Sequence, residues 1–479
     1  MARANKTAII WFRNDLRIHD NEALHDVLEA AENVIPVYIF DPRVFLAKTK
    51  FGFPKVGKYR AKFIIESIID LKKNLQKLGS DLYIRIGKPE DEILELARQV
   101  KSSWVFCNRE RTQEEVDVQD AMEHNLWTVG QELRYSRGKM LFYTADLPFP
   151  VTHTPDVFTQ FRKEVEKYIP VRSPIDSPTE IKKIDSTEIE WGEVPTMENL
   201  GHIDFGENSE SGFTWKGGES EAIRQLQYYL WESDLIKNYK ETRNELLGRD
   251  FSSKFSPWLA QGCLSPKLIY AELKRYEQER AKNKSTYWLF FELMWRDFFR
   301  LTAKKYGNDI FKIGGVKKER PPAVNEDRSL FATWAEGRTG IPFIDANMKE
   351  LNATGFMSNR GRQNVASFLV NDLKLNWLMG AEYFESLLID YDPCSNYGNW
   401  NYIAGVGTDR REDRYFNIIS QAKRYDPKGE YVKYWIPEIK DVPDTCVHTV
   451  DRLSSEELNG YNITLGKDYP EAIFSTEKW

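Results

Sequence analysis

The first 125 residues of the chain alternate short apolar runs with helical patterns, and few folds accept that order. The runs are apolar at nearly every position, so both faces of each are predicted to be buried, as in a parallel sheet covered by helices. We therefore predict an α/β domain over residues 1–140, with its ligand at the carboxyl ends of the strands. The predicted strands are 6–12, 34–40, 81–86 and 103–107, and the predicted helices are 21–31, 58–78, 89–100 and 114–125.

The loop after the first predicted strand lacks the glycines of a nucleotide-binding motif. No GxGxxG pattern follows residue 12, and the chain contains no Walker A sequence. Both absences argue against a conventional dinucleotide or NTP site in this Rossmann-like sheet. The loop reads Arg13-Asn14-Asp15-Leu16-Arg17 instead, which an ordinary loop salt bridge explains.

The character of the sequence changes twice further along the chain. Residues 141–215 are rich in proline and polar residues and contain one convincing helix, 156–168, which predicts a connector lying over the surface. Over residues 216–479 the apolar period becomes 3.6, so this second domain is predicted to be all-helical. Its strongest helical patterns are 221–235, 266–281, 286–306, 341–352, 362–373 and 380–388.

Composition argues against several classes of protein. No apolar run approaches the roughly 20 residues of a membrane span, and the N-terminus lacks a signal-peptide pattern, which predicts a cytoplasmic protein without a membrane partner. The 4 cysteines are far apart, without metal-ligand spacing, so neither a disulfide framework nor a metal site is expected. No histidine lies between residues 203 and 447, so chemistry there must run without an imidazole acid–base group.

The stretch from Asp390 to Tyr402 carries the densest chemistry of the helical domain. Asp390 and Asp392 flank a tyrosine, Asn396 follows, and Trp400 lies one helical turn beyond the asparagine. Carboxylates, an amide and aromatic rings packed this closely can surround a flat, redox-active heterocycle.

Just upstream, the polar and basic segment 359–364 adjoins an abruptly apolar run. A polar end on a buried helix needs partners, because burying unpaired charge is costly. An ordinary buried ion pair, for instance between Arg362 and Asp390, explains these residue types equally well.

Residues 252–256 are suited to a diphosphate. Three hydroxyls and an amine occur just before a predicted helix start, and hydroxyls and backbone N–H groups donate to phosphate oxygens. A plain polar loop with a helix cap is the stronger explanation of this stretch taken alone. The residues are Ser252, Ser253, Lys254, Phe255 and Ser256.

A third stretch predicts a pocket wall on a helix. Glu292, Trp295, Arg296 and Phe299 are spaced to share one helical face. An aromatic stripe at this spacing is usually core, but a carboxylate and a guanidinium beside a tryptophan are less usual there. Trp295 could stack on a base, Glu292 could hydrogen-bond a polar edge, and Arg296 could meet a carboxylate or phosphate.

Three longer segments resemble the photolyase/cryptochrome family and, within it, the DASH cryptochromes. They are residues 239–244 (Tyr-Lys-Glu-Thr-Arg-Asn), 254–259 (Lys-Phe-Ser-Pro-Trp-Leu) and 355–367, and the resemblance extends over essentially the whole chain. It implies an FAD in the helical domain with Asn396 facing the flavin N5. The residues implied to hold FAD are Tyr239, Ser252 to Ser256, Arg296, Arg362, Asp390 and Asp392.

The resemblance also implies a substrate and a reaction. Glu292, Trp295 and Asn359 would line a pocket for a cyclobutane pyrimidine dimer, and Glu292 would stabilise the dimer radical anion. Excited FADH⁻ would donate an electron to the dimer, the ring would split, and the electron would return to the flavin. The implied DNA contacts are Arg243, Gln363, Tyr402 and Gln421.

Two of these implied DNA contacts help to distinguish between the subclasses of the family, which differ in the DNA substrate they repair. Gln363 and Tyr402 stand where duplex photolyases usually carry an apolar residue and a tryptophan, and in DASH proteins such a polar pocket accompanies a preference for single-stranded DNA or loops. Single strands avoid most of the cost of flipping the dimer out of a duplex. The missing histidines disfavour the (6-4) photolyases.

We therefore expect light-driven repair of pyrimidine dimers in single-stranded DNA. RNA stays open as a partner, since discrimination at the 2′-OH depends on geometry. A blue-light photoreceptor that binds FAD and nucleic acid without repair is the alternative, and a light-independent flavoprotein is a third, weaker one.

By the same resemblance, the first domain holds an antenna pigment, typically methenyltetrahydrofolate. Glu114 is the candidate contact, although a carboxylate at a helix start is equally explained by the helix dipole.

The family's electron relay normally contains three tryptophans. Trp400 and Trp377 match the proximal and middle members, but Val324 stands at the expected outer position, ten residues before Trp334. We expect photoreduction through the usual exit to be impaired, or to use another aromatic residue.

Overall fold

Five parallel strands form one sheet in the computed structural model, which describes residues 6–182, 189–206, 213–321, 323–408 and 415–479. Four of them confirm the predicted strands. The fifth is an edge strand whose residues are only partly buried, so it has no continuous apolar run to reveal it. The strands are β1 (Thr7–Trp11), β2 (Asn33–Phe40), β3 (Tyr83–Ile86), β4 (Trp104–Asn108) and β5 (Glu132–Ser136).

Helices cover both faces of the sheet. Neighbouring residues of β1 are fully buried in two different cores, Ile10 on one face and Ile9 on the other, as the double-sided apolar pattern predicts. The four predicted helices are confirmed to within two residues at each end. The helices are α1 (Glu22–Ala30), α2 (Pro42–Phe45), α3 (Lys58–Lys77), α4 (Pro89–Gln99) and α5 (Gln113–Trp127).

The strand order β3-β2-β1-β4-β5 places a switch point between β1 and β4. The chain winds to one side of β1 through β2 and β3, then to the other through β4 and β5. Such a reversal opens a crevice beyond the carboxyl ends of the two central strands. Arg13 and Asn14 follow β1 there, and Glu110 follows β4.

The all-helical prediction for the second domain is also confirmed. Two predicted helices are interrupted, since α7 and α14 below each continue into a π-helical turn, Tyr228–Glu232 and Phe368–Asp372. The helices are α6 (Phe158–Tyr168) in the connector, then α7 (Glu219–Gln227), α8 (Tyr239–Thr242), α9 (Ser256–Ala260), α10 (Pro266–Glu279), α11 (Lys284–Tyr306), α12 (Arg328–Ala335), α13 (Pro342–Thr354), α14 (Asn359–Ser367), α15 (Trp377–Leu387), α16 (Pro393–Ile403), α17 (Ile418–Tyr425), α18 (Glu430–Trp435) and α19 (Ser455–Gly460).

The helix α16 is not among the predicted helices, although it carries the Asn396 and Trp400 of the chemistry-rich stretch. It is buried on most sides, and its buried residues are largely polar or aromatic, so it shows no clear apolar period. Its start follows local rules: the Asp392 side chain accepts from Ser395 N, and Pro393 occupies the first turn.

Across the described parts of the chain, no helix combines the length and apolarity needed to cross a membrane. Within those same residues no cluster of three or more His, Cys, Asp and Glu side chains could hold a metal ion.

Candidate active site

A cleft between α14, α15 and α16, the α14–α16 cleft, contains the predicted ion pair. Nη2 of Arg362 lies 3.0 and 2.8 Å from the two carboxylate oxygens of Asp390, and Nε donates to Met357 O at 2.9 Å. The Asp390 side chain is buried, and the pair holds a fixed cation and a fixed anion at the cleft wall.

The amide of Asn396 has a defined orientation in this cleft. Its Nδ2 donates to Ala381 O at 3.0 Å, and a backbone carbonyl can only accept, so Oδ1 remains as the acceptor available to a ligand. On the same helix, Trp400 is buried and packs edge-on against Phe384 at 5.2 Å between ring centroids. Gly380 makes room for this indole, since a Cβ there would lie 2.3 Å from its ring.

The predicted phosphate loop contains a buried cation. Lys254 is 5% exposed, and in the described parts of the chain its ammonium group forms no hydrogen bond or ion pair. It lies over the rings of Phe251 and Phe356 at 3.3 and 4.7 Å from their centroids. Burial lowers the pKa of Lys254 to about 7, so an anionic ligand would relieve a real electrostatic cost.

The second predicted carboxylate, Asp392, does not pair with Arg362. It accepts from Arg300 at 2.8 Å, and Arg300 also contacts Glu110, which pairs in turn with Lys139. Burial alone would raise the pKa of Glu110, but Lys139 and Arg300 outweigh it and hold that pKa at about 2. A buried network of charges therefore connects the carboxyl end of β4 to α11 and α16.

Glu292 and Arg243, predicted separately, form an ion pair at 2.8 Å. The Glu292 side chain is 31% exposed, so the pair lies at a surface rather than in the core. Partial burial raises the pKa of Glu292, and Arg243 opposes that shift. The guanidinium of Arg243 also lies 5.3 Å from the ring centroid of Trp288.

Arg360 joins two further predicted DNA contacts. Its Nη1 donates to Gln363 Oε1 at 2.9 Å and lies 3.5 Å from Gln421 Oε1. Its Nη2 donates at 3.1 Å to Asn244, the residue after Arg243. Arg360 therefore links α14, α17 and the end of α8 into one polar surface beside the α14–α16 cleft, which Asn359 and Gln363 also line.

Trp295, predicted to stack on a base, is partly covered by the connector helix α6. One ring face is covered by Phe158 of α6, with the centroids 3.7 Å apart and the planes 9° apart. The Tyr402 ring is nearly perpendicular to the Trp295 ring, with the centroids 6.2 Å apart, and the Phe299 centroid lies at 5.5 Å. The connector helix thus occupies one of the two faces that a base could stack on.

Arg296 contacts backbone rather than the cleft. It donates to Lys139 O at 3.0 Å and to Leu259 O at 3.2 Å. Burial lowers the pKa of Arg296 to about 10. In the described structure its guanidinium holds the end of the α/β domain against α9.

A larger cavity of about 580 Å³, the sheet–helix cavity, lies where the sheet meets the helices. Residues after β1 and β4 line one side of it, and α15 and α16 line the other. Glu114 is at its rim, paired with Lys55 at 2.5 Å. Tyr391 and Asp392 line both this cavity and the α14–α16 cleft, so the two share a wall.

Two family models match these two halves of the chain: DNA photolyase over residues 8–179 and FAD binding domain of DNA photolyase over residues 288–479. The chain is 48% identical over 471 residues to a cryptochrome DASH of Synechocystis sp., covering 98% of this chain and 95% of that protein. The crystal structure of the Synechocystis cryptochrome gives a TM-score of 0.95 at 46% identity, covering 100% of this chain and 98% of the other. The chain belongs to the DASH cryptochromes of the photolyase/cryptochrome family.

A more distant member of the photolyase/cryptochrome family has the same architecture. The crystal structure of an archaeal photolyase from Sulfolobus tokodaii contains two FAD molecules. It is 28% identical to this chain, with a TM-score of 0.79 over 98% of this chain and 97% of the other.

The residues of the helical domain fit the FAD that the family's domain binds. The buried Lys254 ammonium suits a diphosphate, the Oδ1 of Asn396 suits an N–H donor, and the Arg362–Asp390 pair offers a cation and an anion to a polar ring edge. Tyr239 is buried near the start of α8, where burial raises the pKa of its hydroxyl.

The sequence did not identify four residues that shape these sites: Arg360, Arg300, Glu110 and Phe158. Arg360 had a detectable signal, because it lies within the polar segment 359–364 that precedes a buried run. Arg300 and Phe158 are recognisable through partners more than 90 residues away along the chain, and Glu110 through Lys139, 29 residues away, and Arg300, 190 residues away.

Val324 stands at the position where the family resemblance leads us to expect an outer tryptophan. It is 36% exposed, and the next residue, Asn325, forms a bridge with Leu375 and accepts from Asn376 N at 2.7 Å. The surface beside the start of α15 is therefore aliphatic at this position.

Proposed function

We propose that this protein uses blue light and FAD to split cyclobutane pyrimidine dimers in single-stranded DNA. One observation carries the proposal: Arg360 hydrogen-bonds both Gln363, which lines the α14–α16 cleft, and Asn244, the residue after Arg243. The Glu292–Arg243 ion pair is thereby linked to the wall of the cleft. A dimer there would meet a carboxylate and cations beside the flavin.

The chain's own residues would position the two reactants. The Arg362–Asp390 pair would orient the flavin, and Asn396 Oδ1 would accept a hydrogen bond from it. Glu292 would hydrogen-bond the dimer, held in place by Arg243. Reduced FAD would supply the electron that opens the cyclobutane ring after excitation and then takes it back.

The preference for single strands rests on limited stacking. Phe158 already covers one face of Trp295, and Tyr402 and Gln363 make the surroundings polar. A flipped base gains about 1–3 kcal/mol from an aromatic stack, while flipping from a duplex costs a few kcal/mol. Weaker stacking therefore favours strands that need no unpairing.

The test is blue-light repair of one thymine dimer in a single-stranded oligonucleotide, its duplex and the matching RNA strand, with the flavin chemically reduced beforehand. We expect repair on the single DNA strand and much less on the duplex. Glu292→Gln should abolish repair while the flavin content stays unchanged. Glu279→Gln, on an exposed carboxylate of α10, is the matched control.

Arg360→Met extends the same test. This substitution should weaken binding of the dimer-containing strand, because it releases Gln363, Gln421 and Asn244 from their common partner. An absence of repair on every substrate would overturn the repair proposal and leave the photoreceptor that the relatives' name, cryptochrome, suggests.

We further propose that residues 1–140 hold a methenyltetrahydrofolate antenna in the sheet–helix cavity, that 216–479 hold FAD, and that 141–215 connect them. The cavity volume of about 580 Å³ and its place at the strand switch point support this. The archaeal photolyase with two FAD molecules makes a second flavin the competing occupant. Spectra of the chromophores released on denaturation distinguish a folate from excess flavin.

A further inference from the structure

In the electron relay expected for this protein, Val324 replaces the outer tryptophan that would reduce an oxidised Trp377. Another residue must therefore donate an electron to the Trp377 radical cation. Trp377 is fully buried, and its Nε1 donates to Ile313 O at 3.0 Å. Val324, at the surface position where an outer tryptophan is expected, has a saturated side chain that cannot be oxidised by a tryptophan radical.

Tyr397 is placed to take over that role. Its ring packs edge-on against Trp377, with the centroids 6.3 Å apart and the planes at 76°. Across the parts of the chain that the structure describes, it is the one aromatic ring in such contact with Trp377. Phe311 packs on Tyr397 at 4.6 Å and fixes the phenol ring.

A phenol is a good electron donor only when its proton can leave with the electron. The Tyr397 hydroxyl donates to Glu385 Oε2 at 3.1 Å, so a proton acceptor is already in place. Burial raises the pKa of Glu385, with Arg60 and the two hydrogen-bonding tyrosines, Tyr391 and Tyr397, opposing the shift. A carboxylate with a raised pKa is a stronger base toward the phenol.

Tyr397 is also placed where a reductant from solution can reach it. Tyr397 and Glu385 both line the sheet–helix cavity, whose rim carries the largely exposed Glu114 and Lys312. A small reductant entering from solvent can therefore approach the phenol.

We propose that Tyr397 is the terminal electron donor in photoreduction of the flavin and that Glu385 accepts its proton. Trp400 gives one electron to the photoexcited oxidised flavin, and Trp377 gives one to the resulting Trp400 radical cation. Tyr397 then gives one electron to the Trp377 radical cation and its phenolic proton to the Glu385 carboxylate. A neutral tyrosyl radical and a protonated carboxyl remain.

The tyrosyl radical is finally returned to tyrosine through the cavity. A thiolate from solution gives one electron and becomes a thiyl radical, while Glu385 returns the proton to the phenolate oxygen. The electron from solution thus enters through the sheet–helix cavity and not through the outer surface near Val324. A pigment bound in that cavity slows this last step by covering the phenol.

The inference rests on flavin binding and on the relay, but not on repair. The test is laser flash excitation of the protein containing oxidised FAD, followed by transient absorption and electron paramagnetic resonance. We expect the tryptophan radical to be replaced by a tyrosyl radical. Tyr397→Phe should abolish the tyrosyl signal, while Tyr391→Phe, which removes the other phenol on Glu385, should preserve it.

Two further variants separate a redox role from a structural one. Glu385→Gln keeps the shape of the side chain but removes the base, and should suppress the tyrosyl radical although Tyr397 is present. Val324→Trp introduced into Tyr397→Phe should restore a long-lived radical, now on tryptophan. Flavin content and the early tryptophan signal, measured in each sample, show that the variant is folded and loaded.

A tyrosyl radical that persists in Tyr397→Phe would overturn the inference, and so would a protein that photoreduces its flavin without any tyrosyl radical. An unchanged tyrosyl signal in Glu385→Gln would mean that another group accepts the phenolic proton, and would overturn the role of Glu385. The repair assay uses chemically reduced flavin, so a failure of repair leaves this result unaffected.

Discussion

The α14–α16 cleft and the sheet–helix cavity lie against the same wall but are built in different ways. The cleft is made within one helical domain, and its central pair, Arg362 with Asp390, joins residues 28 positions apart. The cavity is made where two regions meet, and its pair of Glu110 with Arg300 joins residues 190 positions apart. The first site can therefore form locally, whereas the second exists only after the sheet and the helices have packed together.

The difference extends to how each site treats charge. In the cavity wall, Glu110 is paired with buried cations, Lys139 and Arg300. The region of the cleft leaves Lys254 buried over aromatic rings without such a partner among the described residues. Lys254 thus carries an electrostatic cost that an anionic ligand would relieve, whereas the buried charge of Glu110 is already paired.

The shared wall gives the largest predicted effect. Asp392→Ala removes both the partner of Arg300 at 2.8 Å and the cap on Ser395 N. Breaking a buried pair costs about 3–5 kcal/mol, and losing a cap costs about 1 kcal/mol more. We expect a large fall in the free energy of unfolding together with loss of flavin, because α16 also carries Asn396.

Denaturant unfolding and flavin absorbance measure these two effects. Glu221→Ala is the control, since Glu221 pairs with the exposed Arg224 and should change stability by less than about 1 kcal/mol. Normal flavin content in Asp392→Ala would mean that the two sites do not depend on their common wall.

A smaller effect is expected when Lys254 is replaced, and it differs in sign between the flavin-bound and the flavin-free protein. Lys254→Met should weaken FAD binding by removing a cation, yet stabilise the flavin-free protein by about 1–4 kcal/mol below pH 7, because a buried charge is replaced by an apolar group. The pKa of Lys254 is lowered by burial to about 7, from 10.5.

The pH dependence of this effect has a definite sign. Above pH 7 the folded state has lost the Lys254 proton while the unfolded chain keeps it, so stability of the flavin-free protein should rise with pH toward 10.5. Lys254→Met should reduce that rise, to which Lys304, whose pKa burial lowers to about 8, also contributes. Burial raises the pKa of the nearby Glu350 to about 7, so its own contribution falls between pH 4.5 and 7 and does not add to the rise above pH 7. Denaturation at pH 6 and 9 checks both statements, and identical slopes in the two proteins would contradict them.

The contrast between the two sites explains what could be read from the sequence. The parallel sheet was predictable because its strands are apolar on both faces, and β5 was not because its residues (Glu-Leu-Arg-Tyr-Ser) form no apolar run. Arg362 and Asp390 could be named as partners because the polar, basic segment 359–364 adjoins an apolar run, and a charge buried there needs a partner. Asn396 followed from its place one turn before Trp400.

The remaining site residues could not be predicted, since their roles depend on distant packing. Glu292 and Arg243 were both identified, but nothing along the chain indicates that they pair. Phe158 lies in the proline-rich connector, and only the fold brings it onto Trp295. In the sheet–helix cavity the sequence pointed to Glu114 and, in the shared wall, to Asp392; the other lining residues were not identified because the crevice is created by strand order and not by a motif.

The smallest predicted effect concerns Glu114. Glu114 pairs with Lys55 at the cavity rim, but its side chain is 71% exposed, and exposed pairs contribute about 0–1 kcal/mol. Glu114→Gln should therefore leave the free energy of unfolding and the flavin content unchanged while lowering the amount of pigment retained in the cavity. Glu123→Gln, on the same helix α5 but away from the cavity, should retain the pigment. Chromophore content after purification and reconstitution measures the difference. Equal pigment in both variants would show that the rim carboxylate is no more than a helix-start charge, and that the pigment is held by the buried wall alone.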